Sequence, residues 1–547
     1  MLKHLFFMEH KNLRRSKLYW GYLIVNLLIF AFNIYAISTV HAANSYFSLY
    51  TITYFELILF VSNFAFSSFV AAKENRIAEI CFADGGTAFM GKYAACLLLE
   101  LPLCLYPFLH NSMGIILQPV SFSYAVAAIG EHTLRCAVMV VVSHTLGFVF
   151  GFLLKNVLTV LLSVPCVCLF SFINNYAFEF FGATAEESNW ANLLSINRMF
   201  SVNWEEIVYA GPVIDLLFWI KNAVLVLGCL ALVLGIAGCF KRRNKAALFG
   251  FSAGAAVLCM VCAVSFFRLF PQEFDYVHRS VLFPQSKSAT QDQIVSCQGT
   301  VDLGEWSRFT LELEVRDRNG DGEISFALDP CFDISLLQQE GKVVSYERTE
   351  QTVVCRIFSP QAEHINLSLQ YKGRPYYATD YANADIYTGI KSTALPAGFA
   401  FLPLTGAEET TAYDLTVYAK NTVLSNLDQA ADWSDEGDTF TKKAYHFQGE
   451  SRTVSLFCGY FTSFEKDGIT VYHAKYDARG DYKDGFERTL ILPKRNYLGS
   501  GAEVCKDLEE AELETIDKMF LINYRCNSSG FPCVFDGCVY RDYGTGW

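Results

Sequence analysis

Residues 216–245 read LLFWIKNAVLVLGCLALVLGIAGCFKRRNK: an apolar run from Leu216 to Phe240, closed by Lys241, Arg242, Arg243 and Lys245. Such a run is long enough for a bilayer's hydrocarbon core, which takes roughly 20 helical residues. A cationic cluster beside it marks the cytoplasmic end, because short inner loops retain Lys and Arg. A second apolar run, 246–270, follows at once and carries the chain back across. The stretch therefore divides the protein: helices in lipid up to about residue 270, and a different kind of domain beyond.

Charge agrees with that division. The 547 residues carry a net charge of −12, but residues 1–270 hold 17 Lys+Arg against 13 Asp+Glu, and residues 271–547 hold 26 against 42. The halves are thus +4 and −16. Charged residues make up about a ninth of the first half and about a quarter of the second, the latter an ordinary globular fraction. A single soluble domain is excluded, and so is a mostly disordered chain. An acidic outer half lacks the basic surface that nucleic-acid phosphates require, so no nucleic-acid partner is expected.

Seven apolar stretches are expected to cross the membrane: Leu18–Val40, Tyr46–Ala72, Tyr93–His110, Thr133–Leu154, Val157–Phe178, Leu216–Phe240 and Ala246–Phe270. The first run is longer than a signal-peptide core and no small-residue cleavage site follows it, so no cleavable signal is expected. Lys3, Lys11, Arg14, Arg15 and Lys17 put the N-terminus in the cytoplasm. The 41–45 and 111–124 loops lack Lys and Arg, whereas Lys73, Arg76, Lys92 and Lys155 flank inner turns. Residues 179–215 are net acidic, with Glu186, Glu187, Glu205 and Glu206. The alternation places residues 271–547 outside a cell membrane that the chain crosses many times. Residues 1–17 set Leu2, Leu5, Phe6 and Leu13 against their cations, which suits either a helix lying on the inner leaflet or a solvated flank.

Gly86, Gly91 and Lys92 match most of a phosphate-binding loop, but Tyr93 stands where Ser or Thr would hold magnesium, and a membrane span precedes it instead of a strand. No nucleotide site or other cofactor is expected. Glu56, Glu100 and His144 fall inside spans, and Asp215 and Lys221 at a span's outer end; Asn26 and Asn33 share a helical face. Ionisable residues in lipid are functional candidates. Asn26, Asn33, Glu56 and His144 are therefore candidates to line a pathway, with helix–helix hydrogen bonding as the alternative role. Pro165 is expected to kink the fifth span.

The segment Glu74, Arg76, Glu79-Ile80, Asp84-Gly85-Gly86 and Gly91-Lys92 resembles the loop between the second and third spans of type-2 ABC exporter permeases. There an acidic short helix is followed by a turn, and a Gly-Lys opens the third span. The family usually has a Pro in that turn, where this chain has Asp84-Gly85-Gly86. A basic N-terminus, six spans with both ends inside and a long outer segment before the sixth fit as well, so the resemblance covers residues 1–245. It implies that Glu74, Arg76, Glu79, Asp84, Gly85, Gly91 and Lys92 dock on a separate ATPase subunit. It also implies a second permease copy or a paralogue as partner.

From about Val281 the pattern turns to period two. Phe309–Val315 alternates cleanly, Ile324–Leu328 follows after a turn, and further strand-like runs are Val343–Tyr346, Thr352–Ile357, Ile365–Tyr371, Tyr413–Tyr418, Thr453–Phe461 and Ile469–His473. Short strands parted by Gly, Asp and Asn predict an antiparallel β-sandwich. Asp317, Asn319, Asp321 and Gly322 begin like a calcium loop, but Leu328 occupies the position of the bidentate Glu, and a hairpin turn accounts for them. Leu367–Pro375 with Gly373, Leu415–Asn426, and Ser455–Phe461 followed by Glu465–Tyr472 resemble, in order and spacing, the N-terminal β-domain of the aminopeptidase N family of zinc peptidases. The resemblance spans 305–480. In that family a His-Glu-x-x-His helix follows; none of the ten His here precedes Glu, and the chain reaches Trp547 after a predicted helix at Leu508–Met519. No zinc peptidase activity is expected.

Eighteen cysteines divide ten and eight between the halves. In an exported domain Cys505, Cys526, Cys533 and Cys538 are candidates for disulfides, with a metal site at the last three as the alternative. The fold class expected is an all-α membrane domain of about seven transmembrane helices with an extracytoplasmic antiparallel β-sandwich. Its parts are an amphipathic segment (1–17), a six-span permease-like domain (18–245), a seventh helix (246–270), an aminopeptidase-like β-domain (271–490) and a mixed C-terminal segment (491–547). The expected function is a non-enzymatic permease subunit of an ABC-type exporter. The alternatives are a membrane-anchored binding or scaffold protein, or the non-catalytic anchored half of a split zinc aminopeptidase.

Overall fold

A computed structural model describes residues 2–39, 45–78, 85–117, 122–154, 156–170, 190, 193–194, 216–240, 245–269, 292–317, 322–358, 364–378, 384–405, 410–429, 441–466, 469–474, 517–521, 533–535 and 538–541. The chain forms two compact units: residues 1–202 with 214–270, and 203–213 with 271–547.

The first unit is helical. Its elements are α1 (Leu2–Arg15), α2 (Lys17–Thr39), α3 (Ser45–Ala78), α4 (Gly85–Glu100), a 3-10 turn (Leu101–Cys104), α5 (Leu105–Leu117), α6 (Phe122–Leu153), α7 (Asn156–Phe170), α8 (Leu216–Phe240) and α9 (Lys245–Leu269). Ser16 separates α1 from α2: its Oγ donates to Leu13 O (2.8 Å) and accepts from Tyr19 N (3.1 Å), capping the second helix. Pro102, lacking an N–H, sits in the 3-10 turn between α4 and α5.

By length and composition four stretches among the described residues can cross a membrane: Gly86–His110, Ile129–Leu153, Leu216–Phe240 and Lys245–Leu269. The other three expected spans coincide with shorter apolar stretches, Lys17–Phe32, Glu56–Ala72 and Leu161–Phe170. The third span also begins earlier than expected, since α4 starts at Gly85. Gly91 and Lys92 thus lie two turns inside a helix rather than at its opening, which also removes any phosphate-binding loop there. Residues 171–178 of the fifth span lie outside the described residues. On α9 only Ala255 and Phe266 are buried, while Phe251, Val257, Met260 and Val261 are exposed. An apolar surface of that extent is compatible with a lipid surrounding.

Close backbone contact joins α3 to α6. A Cβ on Gly147 would come 2.3 Å from Phe64 O, and one on Gly151 2.3 Å from Ser68 O. These glycines form a G-x-x-x-G face, which lets two membrane helices touch without side chains between them. The pairs advance together along both helices, so α3 and α6 run parallel. Gly151→Val should force them apart and lower stability by about 1–3 kcal/mol, measured as earlier unfolding of the detergent-solubilised protein; an unchanged midpoint would contradict the contact.

The second unit is β-rich. Its strands are β1 (Gln293–Asp302), β2 (Ser307–Arg316), β3 (Glu323–Ala327), β4 (Phe332–Gln339), β5 (Lys342–Val343), β6 (Tyr346–Thr349), β7 (Thr352–Arg356), β8 (His364–Gly373), β9 (Tyr376–Ala378), β10 (Ala384–Thr388), β11 (Thr393–Leu395), β12 (Thr411–Ala419), β13 (Thr422–Ser425), β14 (Asp428–Gln429), β15 (Lys443–Ser451), β16 (Leu456–Gly459), β17 (Phe461–Lys466), β18 (Ile469–Ala474), β19 (Lys518–Leu521), β20 (Cys533–Phe535) and β21 (Cys538–Arg541). They make an eight-stranded sheet (β14-β15-β12-β1-β2-β8-β4-β5), two five-stranded sheets (β13-β16-β11-β10-β9 and β17-β18-β19-β21-β20) and a three-stranded sheet (β3-β7-β6).

Alternation sets the core. In β2 the side chains of Phe309, Leu311, Leu313 and Val315 turn inward and face Tyr371, Leu369, Leu367 and Ile365 of β8 in register. Ile324 and Val353 from the three-stranded sheet, and Ile386, Leu395 and Val423 from the first five-stranded sheet, complete one apolar cluster. Gly373 is required at the end of β8, because a Cβ there would lie 2.4 Å from the Phe332 ring and 2.6 Å from Cys331 O.

Four expectations for this unit are corrected. Two of the four sheets are mixed rather than antiparallel: β1–β12 in the eight-stranded sheet, and β18–β19 and β19–β21 in the second five-stranded sheet, run parallel, which long crossovers allow and tight hairpins do not. The turn after β2 is not a hairpin, since β2 pairs with β1 and β8 while β3 pairs with β7 in another sheet; Asn319 and Asp321 lie outside the described residues. Val343–Tyr346 and Thr453–Phe461 each divide, β5 and β6 belonging to different sheets, as do β16 and β17. Lys518 and Met519 belong to a strand rather than to a helix, because β19 pairs with both β18 and β21; residues 508–516 lie outside the described residues.

Candidate functional site

Two buried polar networks lie among the apolar helices, both anchored on α3 and α6. In the first, Arg135 of α6 reaches Glu56 of α3 through Nη2 (3.2 Å) and Glu131, one turn back, through Nη1 (3.3 Å). His132 Nε2 is 3.4 Å from Glu131. All four side chains are buried. Lys221 of α8 is buried as well and acts electrostatically on Glu131. Two carboxylates thus meet two cations, which offsets much of the cost of removing these charges from water.

The second network lies deeper along the same helices. Ser67 is eleven residues beyond Glu56, about 16 Å along α3 at 1.5 Å per residue. Its Oγ donates to Glu100 Oε1 (2.6 Å) and lies 2.8 Å from His144 Nδ1. His144 Nδ1 is 3.1 Å from Glu100 Oε2, and Nε2 is 3.1 Å from Tyr93 O. A carbonyl only accepts, so Nε2 carries a proton and Nδ1 faces the carboxylate. Cys96, one turn before Glu100 on α4, directs Sγ to Glu100 Oε1 at 3.5 Å. Tyr93 OH meets Thr145 Oγ1 at 2.8 Å. Ser67, Cys96, Glu100 and His144 are inaccessible to solvent.

The residues expected to line a pathway have these positions. Glu56 belongs to the first network and His144 to the second. Asn26 is buried and joins α2 to α3: Nδ2 donates to Tyr22 O (2.9 Å), and Oδ1 accepts from Ser62 Oγ (3.0 Å). The Asn33 side chain lies outside the described residues. Of the expected ATPase-docking residues, Glu74 and Arg76 fall on the last turns of α3 by backbone alone, Gly85 begins α4, and Glu79 and Asp84 lie outside the described residues. Lys92 is buried rather than solvent-facing. Its Nζ lies 3.7 Å from Glu9 of α1, because α1 packs on α4 and brings an acid to it. Ser67, Cys96, Glu131 and Arg135 were not singled out in the sequence; Arg135 is the one with a visible signal, a cation within an apolar run.

In the β unit, Asn426 is a hub. Its Nδ2 donates to Ser451 Oγ (2.9 Å) and Thr453 O (2.8 Å), and its Oδ1 accepts from Ser455 N (2.8 Å). Arg348 donates to the carbonyls of Leu328 (3.0 Å), Phe332 (2.5 Å) and Asp329, pinning that turn. Cys297, Cys331, Cys355 and Cys458 are free thiols. Burial pushes Cys297, Cys355 and Cys458 each up to about 12. At pH 8 they remain protonated, and alkylation needs thiolate. All three should therefore resist iodoacetamide at pH 8 and react only after denaturation, read by peptide mass spectrometry; labelling of the native protein would contradict their burial. Cys538 is buried on β21, while Cys505, Cys526 and the Cys533 side chain lie outside the described residues.

The class defined by these features is a helical unit with four candidate membrane spans joined to a β-rich unit. No family model matches the chain, and no curated protein does. Among solved structures, the yeast leukotriene A4 (LTA4) hydrolase bound to bestatin is similar at 10% identity and a TM-score of 0.32, over 48% of this chain and 43% of that one. The M1 zinc metallopeptidase of Deinococcus radiodurans is similar at 13% identity and a TM-score of 0.33, over 50% of this chain and 65% of that one. The chain spans less than two thirds of the length of either.

Proposed function

We propose that the helical unit is the permease subunit of an ABC-type exporter, driven by a separate ATPase and closed by a second copy or a paralogue. The β unit would act as a non-catalytic extracytoplasmic module for binding or gating. The observation carrying this reading is the buried Glu56–Arg135–Glu131 network between α3 and α6. A helix bundle that only anchors a domain needs no buried Glu56–Arg135–Glu131 system, and such groups in membrane helices mark pathways and moving parts.

Helix α1 supports the same reading. It exposes Phe7 and Met8 beside the exposed Lys3, Lys11, Arg14 and Arg15, a mixture suited to the inner leaflet. The Lys92–Glu9 ion pair ties it to α4 directly after the 74–85 segment, giving an ATPase that docks there a route into the bundle.

Co-purification with a candidate ATPase tests the proposal. Glu74→Lys, Arg76→Glu and Glu79→Lys should each weaken association and ATPase coupling several-fold, since polar reversible interfaces depend on charge complementarity. Glu9→Lys should uncouple hydrolysis from transport while leaving association intact. Unchanged association and coupling in every variant would leave the membrane-anchored scaffold as the better description.

A further inference from the structure

We propose that Cys96, Glu100, His144 and Ser67 form a binding site for a zinc-class divalent cation that pins α3, α4 and α6 together. Cys96 Sγ, a Glu100 carboxylate oxygen and a His144 ring nitrogen lie within 4.8 Å of one another, each fully buried. The donors are those that a borderline-soft cation selects: one thiolate, one imidazole and one carboxylate. Cys96 and Glu100 stand four residues apart on α4, which puts both on one face of the helix.

The separations from the carboxylate to sulfur and to nitrogen suit a single ion. Metal–ligand bonds of about 2.3 Å to sulfur and about 2.0 Å to nitrogen and oxygen, at tetrahedral angles, separate sulfur from oxygen by about 3.5 Å and nitrogen from oxygen by about 3.3 Å. The corresponding separations here are 3.5 Å for Cys96 Sγ to Glu100 Oε1 and 3.1 Å for His144 Nδ1 to Glu100 Oε2, the carboxylate turning one oxygen to each. Ser67 Oγ, hydrogen-bonded at 2.6 Å to the carboxylate and 2.8 Å to the imidazole, stands closer than co-ligands do and would move outward by about half an ångström to serve as the fourth donor. The surroundings of the ligands point the same way. His144 gives its Nε2 proton to Tyr93 O, which orients the ring and leaves Nδ1 as the nitrogen facing the other donors. Metal-binding histidines are oriented in this manner, by giving the second ring N–H to a carbonyl or carboxylate.

With four protein donors and no solvent access, the site is closed, as structural zinc sites are and catalytic ones are not. It is distinct from the alternative cysteine metal site at Cys526, Cys533 and Cys538. It also does not depend on the transport reading, since a pinned bundle serves an anchor equally well.

The full-length protein, purified in detergent, stripped with a chelator and reloaded with Zn2+ or Co2+, tests it. Metal analysis should find about one tightly held zinc per chain, and the cobalt form should show thiolate-to-metal charge-transfer absorption. Cys96→Ser should abolish that absorption, and His144→Gln should lower zinc content at least tenfold. X-ray absorption on the zinc-loaded wild type gives an answer even where a variant fails to fold: one sulfur and three nitrogen or oxygen neighbours are expected. Several sulfurs, no bound metal above background, or an undiminished thiolate band in Cys96→Ser would overturn the assignment.

Discussion

Replacing Arg135 with Met should destabilise the helical unit by about 3–5 kcal/mol, because it strips the cation from two buried carboxylates while leaving both in place. Arg135 holds Glu56 at 3.2 Å and Glu131 at 3.3 Å, and none of the three is exposed beyond 7%. Unfolding in mixed micelles, followed by helical circular dichroism, would read the loss directly. The triple variant Glu56→Gln, Glu131→Gln, Arg135→Met removes every charge of the trio and should recover most of the lost stability, since a neutral replacement no longer buries an uncompensated ion. A single variant as stable as wild type would mean that the trio has no electrostatic role. A triple variant that stays folded but loses the proposed coupling to an ATPase would separate the network's functional part from its structural one.

That trio also shows where sequence reasoning reached its limit. The α8 and α9 spans were legible because each is one uninterrupted apolar run with cations between them, so composition alone sets their ends. Glu56 and His144 stood out for the same reason, as ionisable groups within apolar stretches. Glu100 stood out too, but Arg135 did not, and neither pairing was visible. Arg135 is 79 residues from Glu56, and His144 is 44 from Glu100; local periodicity carries no information over such distances. Lys92 was misread on the same ground: beside a turn it looks like a solvated cation, and only the packing of α1 on α4 supplies Glu9. The Gly147–Gly151 contact was not anticipated either, because a G-x-x-x-G spacing means little until its partner face, Phe64 and Ser68, is known.

The β unit was legible strand by strand and misread in its connections. Period-two alternation located β2, β8 and β12 to within a residue or two, because each turns one face to the core. Alternation says nothing about which strand pairs with which, so the crossing from β2 to β3 resembled a hairpin and the parallel β1–β12 pair could not be anticipated. Asn426 shows the same limit: the Thr-Val-Leu-Ser-Asn stretch could be quoted, but its role in tying Ser451, Thr453 and Ser455 together emerges only once β13, β15 and β16 are adjacent.

In the β unit, Phe309→Ala should cost about 3–5 kcal/mol, the largest effect expected there, because it removes a buried ring and leaves a cavity that a sheet cannot easily close. Phe309 is 1% exposed, stacks on Tyr371 at 4.6 Å with 6° between the rings, and meets the Phe332 ring edge-on at 5.3 Å. Tyr371 is in turn fixed by its hydroxyl, which donates to Phe401 O at 2.6 Å, so the neighbouring ring cannot swing into the space. Four cysteines of this unit, Cys297, Cys331, Cys355 and Cys458, are free thiols, so no cross-link through them limits the damage. Denaturant unfolding of the full-length protein, read by protease resistance of the β unit, should show an earlier transition for Phe309→Ala and a smaller shift for Phe309→Leu, which keeps most of the volume. Trp306→Ala, at a position 48% exposed, should move the transition by about 0.5 kcal/mol or less. If Phe309→Ala unfolds with wild-type resistance, the apolar cluster shared by three sheets is not the element that holds the β unit together.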